Sequence, residues 1–585
     1  MPRSLSSIRC SMFSVGCSIF LLLAASAQEV IFRQVADTKT DTHVEVTSLF
    51  SHPSLGGYLP VRIIVANNQK VPHKIFLRFK DATNYSDEIS TSSSYSFVAP
   101  PGRTVSQDIL VPLTAQNGTS SYQELSVNLN GSMGNISGNV STVFSPDQPA
   151  VLLSESLYTP NGSALDTERN SRGSGSYGRS SSNSFSSKFD PKRLPDDWRA
   201  FSGFDSIMLT ETDWAATPPG SRNAILSWMR LGGQLVVYSQ SPSKPSAIGI
   251  PEDTSFGTVV MKRIAADLRL DAKETVSLSI PKSPTRTRLN SVTNDFNAKW
   301  PIQIEFGEKS FNYVVFIIIL IAFGILVGPV NLFVFAKSGQ RHRLFITTPL
   351  ISLGTSLILI VLIILQDGFG GDGSRMVLME VRPDENQNAA FIQQEQFSRT
   401  GVMTSPGFTV DASALIVPVP LSQSRWARFT DGYDSRGTYN IQPTDGKLYA
   451  SGDWFQSRSE QGQLITAVVP TRGRIEAASE PGKLISTFDF PIETLVFRDP
   501  EGTWYRAENI TKGRAITPTP VDPTMMLPFL NELANRFTQR NRLFLNKAKA
   551  RDDHFIAITS QAPGIETHTG IDWKTTTVIT GPIAR

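Results

Sequence analysis

The sequence predicts a multidomain α+β membrane protein with an exported β-sandwich, an α/β domain, a two-helix transmembrane hairpin and a C-terminal β-rich domain. Three observations predict it. Two apolar runs, 311–336 and 344–365, contain no charged side chain and flank a short basic link, 337–343. Short alternating strands separated by turn residues dominate both sides of this pair. One strand–helix–strand unit interrupts them between residues 204 and 238. A hydrocarbon core of roughly 30 Å takes about 20 helical residues, and backbone amides inside it must pair within the segment. Each run therefore reads as one membrane-crossing helix.

The remaining elements follow in chain order. Arg3 and Arg9, the apolar stretch 12–23 and the small residues Ala25, Ser26 and Ala27 form the pattern of a secretory signal over 1–27. An uncleaved anchor is the other reading of that run, and the residues before Cys17 make a faint lipoprotein box. The chain has 2 cysteines, Cys10 and Cys17, both inside this leader, so its removal would exclude disulfides, thiolate metal sites and cysteine nucleophiles. A net charge of +3 without a clustered basic face gives no reason to expect nucleic acid. The link carries Lys337, Arg341 and Arg343, whereas Arg375 is the nearby basic residue beyond the second run, so the positive-inside rule makes these three the topology determinants. Both large regions, 28–310 and 366–585, are then exported.

Residues 61–65, 74–79 and 109–111 have the pattern of half-buried strands, and residues 28–147 read as an immunoglobulin-like sandwich. An α/β domain over 148–245 follows, interrupted by a Ser-, Asn- and Gly-rich mobile excursion at 160–188. Strands are expected at 150–153, 206–209 and 234–238, with a helix at 221–231 whose Ile225, Trp228 and Met229 share a face. Gly232 and Gly233 end that helix. A β-rich continuation, 246–310, includes strands at 258–261 and 276–280.

The stretch 203–209 (Gly-Phe-Asp-Ser-Ile-Met-Leu), with 224–237 running from Ala224 through Gly232 and Gly233 to Val237, resembles class I glutamine amidotransferase-like domains of bacterial inner-membrane proteins. The resemblance covers about residues 150–239 and implies a flavodoxin-like α/β fold. It also implies a degenerate site, because the enzymes use a Cys activated by a His, and this chain has neither a mature Cys nor any His between His73 and His342. Gly328, Pro329 and Asn331 with Thr348 and Pro349 resemble the helix junction of the same group, whose members are often encoded beside MoxR-type ATPases. That system is an expected partner by analogy. Glu211 and Asp213, beyond the 206–209 strand, lie where open α/β sheets bind ligands, although solvated loop acids are the plainer reading.

In the first membrane helix, Gly324 and Gly328 have the spacing that lets helices approach closely, toward the second helix or another subunit. No charge lies mid-membrane, so an ion or proton path lacks its usual signature. Residues 366–373 read as a flexible exit linker in which Asp367 and Asp372 do not match a calcium loop. The β-rich domain 366–585 contains strands near 377–381, 414–417, 464–469, 484–488, 494–497 and 577–580, and a helix near 528–538. Arg540, Arg542, Lys547, Lys549 and Arg551 form a basic run that can be drawn against anionic headgroups, and Asp552, Asp553, His554 and His568 can be drawn as a metal site. No cofactor or metal is expected.

Function then divides three ways. The first is a non-catalytic scaffold or binding component of a bacterial envelope complex, anchored in the lipid bilayer with protein partners and a possible oligomer. The second is a ligand sensor or enzyme at Glu211 and Asp213. The third is a channel or transporter subunit.

Overall fold

The computed structural model describes residues 29–50, 57–83, 89–114, 122–143, 150–172, 184–252, 254, 256–279, 300–307, 313–336, 338–382, 388–405, 407–419, 421 and 437–584. The expected signal over 1–27, part of the Ser-rich excursion (173–183) and Lys337 lie outside the described residues. The protein is mixed α/β, with five sheets among the described residues and two long apolar helices.

The N-terminal strands form two facing sheets. Glu29–Asp37, Thr42–Ser48, Tyr58–Asn67 and Arg103–Pro112 make one. His73–Thr83, Ile89–Ala99, Tyr122–Gly131 and Ile136–Val143 belong to the other. Period-2 alternation turns Val44, Val46, Val61, Ile63, Ile75, Leu77, Phe79 and Val127 into a shared core. The second sheet does not end with this region. Gly437–Thr444, from beyond the pair of long apolar helices, pairs in parallel with Ile89–Ala99 and brings Lys447–Gly452 and Phe408–Asp411 with it. Seven strands from both sides of the hairpin thus share one sheet.

The α/β region has five parallel strands in the spatial order Ser187–Phe189, Val151–Ser154, Ser206–Thr210, Gln234–Ser239, Thr258–Arg263. In chain order this is 2-1-3-4-5. The helix Pro219–Arg230 buries Ile225, Trp228 and Met229 as expected, and Gly233 leaves no room for a Cβ, which would lie 2.5 Å from the Trp228 ring. Two expectations fail. Residues 160–172 are not an irregular excursion but part of the helix Glu155–Arg172, held by Asn161, whose amide donates to Leu157 O and Leu268 O at 2.8 Å. The strand expected at 276–280 is instead the helix Ala272–Ser279, because Thr275, Val276 and Ser279 fall on one helical face that packs inward.

The C-terminal region is built on a nine-stranded mixed sheet. Its centre pairs Gly371–Arg382 with Ala389–Thr400 on one side and, in parallel, with the last strand Ile571–Pro582 on the other. The terminal strand therefore sits mid-sheet and does not close an edge. The helix expected near 528–538 is two helices, Pro523–Asn535 and Gln539–Lys549. They and the nine-stranded sheet share a core with the α/β region, where Trp228, Leu235, Phe391, Phe397, Leu530 and Phe544 belong to one cluster. Phe256 stacks on Phe544 at 4.6 Å across this junction.

Two helices, over Val314–Phe335 and Arg341–Leu362, are long and apolar enough to cross a membrane. Their apolar side chains are exposed: Phe333 at 73 % and Phe345 at 85 % exclude a buried core helix. The first changes from α (Tyr313–Ile325) to π over Leu326–Phe335, around Pro329, with Ala336 N donating to Asn331 O at 2.9 Å. Pro329 lacks the N–H an α-helix would use there, so the ladder is re-registered locally.

The stretch 366–373, expected as a flexible linker, is instead hydrogen-bonded into the fold. The second helix runs to Asp367 and the strand begins at Gly371. Gly368 and Gly370 take positive φ (78° and 76°), which lets Val402 N reach Gly368 O and Gly370 N reach Val402 O. Asp367 pairs with Arg458 at 2.5 Å. On the entry side the short helix Pro301–Phe306 is held by Glu305 to Arg536 at 2.9 Å and by Phe306 against Phe397.

Candidate functional site

The C-terminal ends of Val151–Ser154 and Ser206–Thr210 diverge at the point where the parallel strand order reverses. Open α/β sheets offer a ligand crevice there. In this chain side chains of the fold bridge that crevice. Thr210 and Asp213 form a reciprocal capping box at the start of the helix Glu211–Ala216, with Asp213 N donating to Thr210 Oγ1 at 3.0 Å and Thr210 N to Asp213 Oδ2 at 3.1 Å. Ser156 Oγ donates to the same Asp213 Oδ2 at 2.5 Å, across the switch point. Glu211 accepts from Ser239 Oγ at 2.5 Å. Both acids are half-buried and neither is a solvated loop acid. Sequence reasoning placed them correctly at the sheet edge but not in this structural role. The signal for it was the Thr-x-x-Asp spacing of 210–213.

The most enclosed carboxylate in the junction is Glu395, which sequence reasoning did not single out. It sits fully buried in a strand where Gln393, Gln394 and Gln396 are buried too. Trp300 Nε1 donates to it at 3.1 Å, Thr538 Oγ1 at 2.6 Å, Thr538 N at 3.2 Å and Asn541 Nδ2 at 2.5 Å. Burial holds its pKa above the ordinary carboxylate value against the opposing pull of these donors. The carboxylate joins three segments: Trp300 at the start of the short helix Pro301–Phe306, the strand Ala389–Thr400, and the N-terminus of Gln539–Lys549. On the opposite face Gln394, Gln396 and Gln463 link their amides, at 2.8 and 2.9 Å. Every donor here belongs to the fold. A cavity of about 30 Å³ nearby, between Trp198, Trp228, Leu415 and Arg540, has room for a single water.

In the hairpin, Asn331 Nδ2 donates to Thr348 Oγ1 at 2.9 Å and Thr347 Oγ1 to Asn331 Oδ1 at 2.5 Å. This polar contact ties the helices near the link. Gly324 and Gly328 are not at a close approach within the chain, since a Cβ at either meets nothing within 4 Å. Arg341 and Arg343 stand exposed in the turn Arg341–Arg343.

The remaining sites drawn on the sequence do not assemble. His554 and His568 lie beyond opposite ends of Ile571–Pro582, roughly 35 Å apart at about 3.3 Å per residue. His568 is occupied, its Nδ1 accepting from Gly570 N at 2.9 Å and its Nε2 directed at Ser405 O at 2.6 Å. Among the described residues no group of three His, Cys, Asp or Glu side chains could hold a metal. The basic run is consumed internally. Arg540 is buried with its guanidinium on Leu231 O at 3.1 Å, Lys547 donates to Phe256 O at 2.8 Å, and Lys549 donates to Asn531 at 2.7 Å. Burial lowers the Lys547 pKa, as expected of an ammonium removed from water.

No known protein-family profile matches the chain, and no curated protein matches it. Among solved structures, Bacteroides uniformis beta-glucuronidase is similar at 9% identity with a TM-score of 0.18, over 40% of this chain and 37% of that one. A calcium-binding mutant of beta-glucuronidase 2 from the same organism has a TM-score of 0.14 at 9% identity, over 38% and 28%. The yeast delta-COP-I mu-homology domain has a TM-score of 0.16 at 11% identity, over 36% of this chain and 96% of the domain. The chain thus spans roughly a third of the length of the glucuronidases. At these TM-scores the likeness carries no functional argument.

Proposed function

We propose that this chain is a non-catalytic, membrane-anchored platform of a bacterial cell-envelope complex, with both large regions on the extracytoplasmic side of the inner membrane. The observation that carries the reading is the parallel pairing of Gly437–Thr444 with Ile89–Ala99. One sheet cannot be assembled across a bilayer, so the segments before and after the hairpin occupy the same side. Arg341 and Arg343 in the link favour the cytoplasm for the turn between the helices. The 2-1-3-4-5 strand order is that of flavodoxin-like domains and supports a degenerate amidotransferase-like unit. The use of Glu211 and Asp213 in hydrogen bonds of the fold argues against the ligand-sensor or enzyme reading at that edge. Envelope proteins are the partners of this reading, with a MoxR-type ATPase system by analogy.

The test uses the absence of cysteine beyond Cys17. Single-cysteine variants at Asn139, Asp445 and Ser338 are treated with an impermeant maleimide on intact spheroplasts. Labelling at 139 and 445, with Ser338→Cys reacting only after permeabilisation, is expected. Protection of 445 while 139 reacts would overturn the reading. Cross-linking from Asn139→Cys then captures the partner.

A further inference from the structure

On the outward face of the seven-stranded sheet, one group of polar side chains has no hydrogen-bond partner among the described residues. On this face Arg78 stands opposite Asn128 on one neighbouring strand and Ser94 on the other, and Phe76 stands opposite Asn130 and Ser96. Asn128 in turn faces Ser137. Arg78, Asn128, Asn130, Asn135 and Ser137 line a shallow groove of about 610 Å³. Among the described residues none of these five side chains makes a hydrogen bond or ion pair. This contrasts with the sheet edge, where Asp213 accepts from Ser156 and Thr210 and Glu211 from Ser239.

The charge of the face is one-sided. Lys74, Arg78 and Lys80 form one column on His73–Thr83, and the carboxylate nearby on the same face is Glu124. Phe76 is 45 % exposed with the Lys74 ammonium 5.0 Å from its ring centre. The face continues onto the strands contributed from beyond the hairpin. Ser92 Oγ donates to Asn440, and Tyr449, 42 % exposed, stands on the next strand opposite Gln442. Three strand spacings of about 4.8 Å separate the Tyr449 and Phe76 strands, about 14 Å in all.

We propose that this face binds an acidic, polyhydroxylated glycan. A planar guanidinium matches a sugar carboxylate in bidentate geometry. Side-chain amides both donate and accept, as vicinal hydroxyls require. Two exposed rings on strands about 14 Å apart offer apolar faces to the C–H side of separate sugar units. The proposal deepens and rests on the exported placement argued above, since the face is completed only when both halves of the chain pair.

The test uses full-length chain in detergent, so that it stands apart from the topology measurement. Binding is measured by titration calorimetry against polygalacturonate, against dextran (hydroxyls without charge) and against poly-glutamate (charge without sugar). Saturable binding to polygalacturonate, about tenfold or more tighter than to either control, is expected. Arg78→Ala and the double change Asn128→Ala/Asn130→Ala should each weaken it by about tenfold, without moving the unfolding temperature. Equal binding of poly-glutamate would mean an acidic peptide or bare charge, and would overturn the proposal. Absence of polygalacturonate binding, or binding unchanged by Arg78→Ala, would overturn it too.

Discussion

The edge of the parallel sheet and the outward face of the seven-stranded sheet are both polar, but their side chains differ in what they touch. At the edge, Asp213 accepts from Ser156 and from the backbone of Thr210, and Glu211 accepts from Ser239. On the face, Arg78 and Asn128 line an open groove and have no protein partner among the described residues. Residue type alone would rank the paired carboxylates as the better site. Partner status reverses the order, because a side chain already committed to the fold must break that bond before it can serve a ligand.

The contrast can be broken or sharpened by substitution, and the interior gives the largest effect. Glu395→Ala leaves Trp300, Thr538 and Asn541 with buried donors unsatisfied, and should destabilise the chain by about 3 kcal/mol or more in denaturant unfolding. Glu395→Gln separates charge from packing. Because the folded pKa lies above the usual value, the unfolded chain ionises first as pH rises, and stability falls from about pH 4.5 up to the folded pKa. The Gln variant should lose that slope while remaining folded, whereas an unchanged slope would place its origin elsewhere.

At the edge, Asp213→Ala removes a capping box and the Ser156 contact and should cost about 1 kcal/mol. Asn331→Ala in the hairpin should cost about 1 kcal/mol by the same measurement in detergent, from loss of the Thr347 and Thr348 bonds. The smallest effects are expected where nothing is touched. Gly328→Leu should change chain stability by less than about 0.5 kcal/mol, since a Cβ there meets open space. Loss of a cross-linked oligomer in that variant would assign the open glycine face to a second copy.

Much of the architecture was legible where one residue's neighbours in sequence decide its state. The apolar runs and the Gly232-Gly233 helix stop, with Gly232 at a φ of 118°, depend on local chemistry. The strand expected at 276–280 failed because a short alternating stretch also fits one helical face. The four polar residues 393–396 carry no local signal of burial, yet all four are fully buried within the sheet. Their amides and carboxylate find partners in Leu231, Ile565, Thr567 and Thr538, all distant in sequence. For the same reason the glycan face was invisible. Arg78 and Asn128 are 50 residues apart, and Tyr449 joins them only through a strand pairing that spans the hairpin. The edge acids were found by a positional rule about strand ends, which identifies a place but not its occupants.

The segments flanking the two apolar helices form one body, through the strand pair Ile89–Ala99 and Gly437–Thr444. The most direct measurement is oxidative cross-linking of the double variant Ser92→Cys/Asn440→Cys, whose parent side chains are hydrogen-bonded. The pairing predicts rapid intramolecular disulfide formation, read as two fragments that stay joined without reductant after cleavage at a protease site introduced into the hairpin link. Fragments that separate, or a disulfide that forms only between chains, would contradict it.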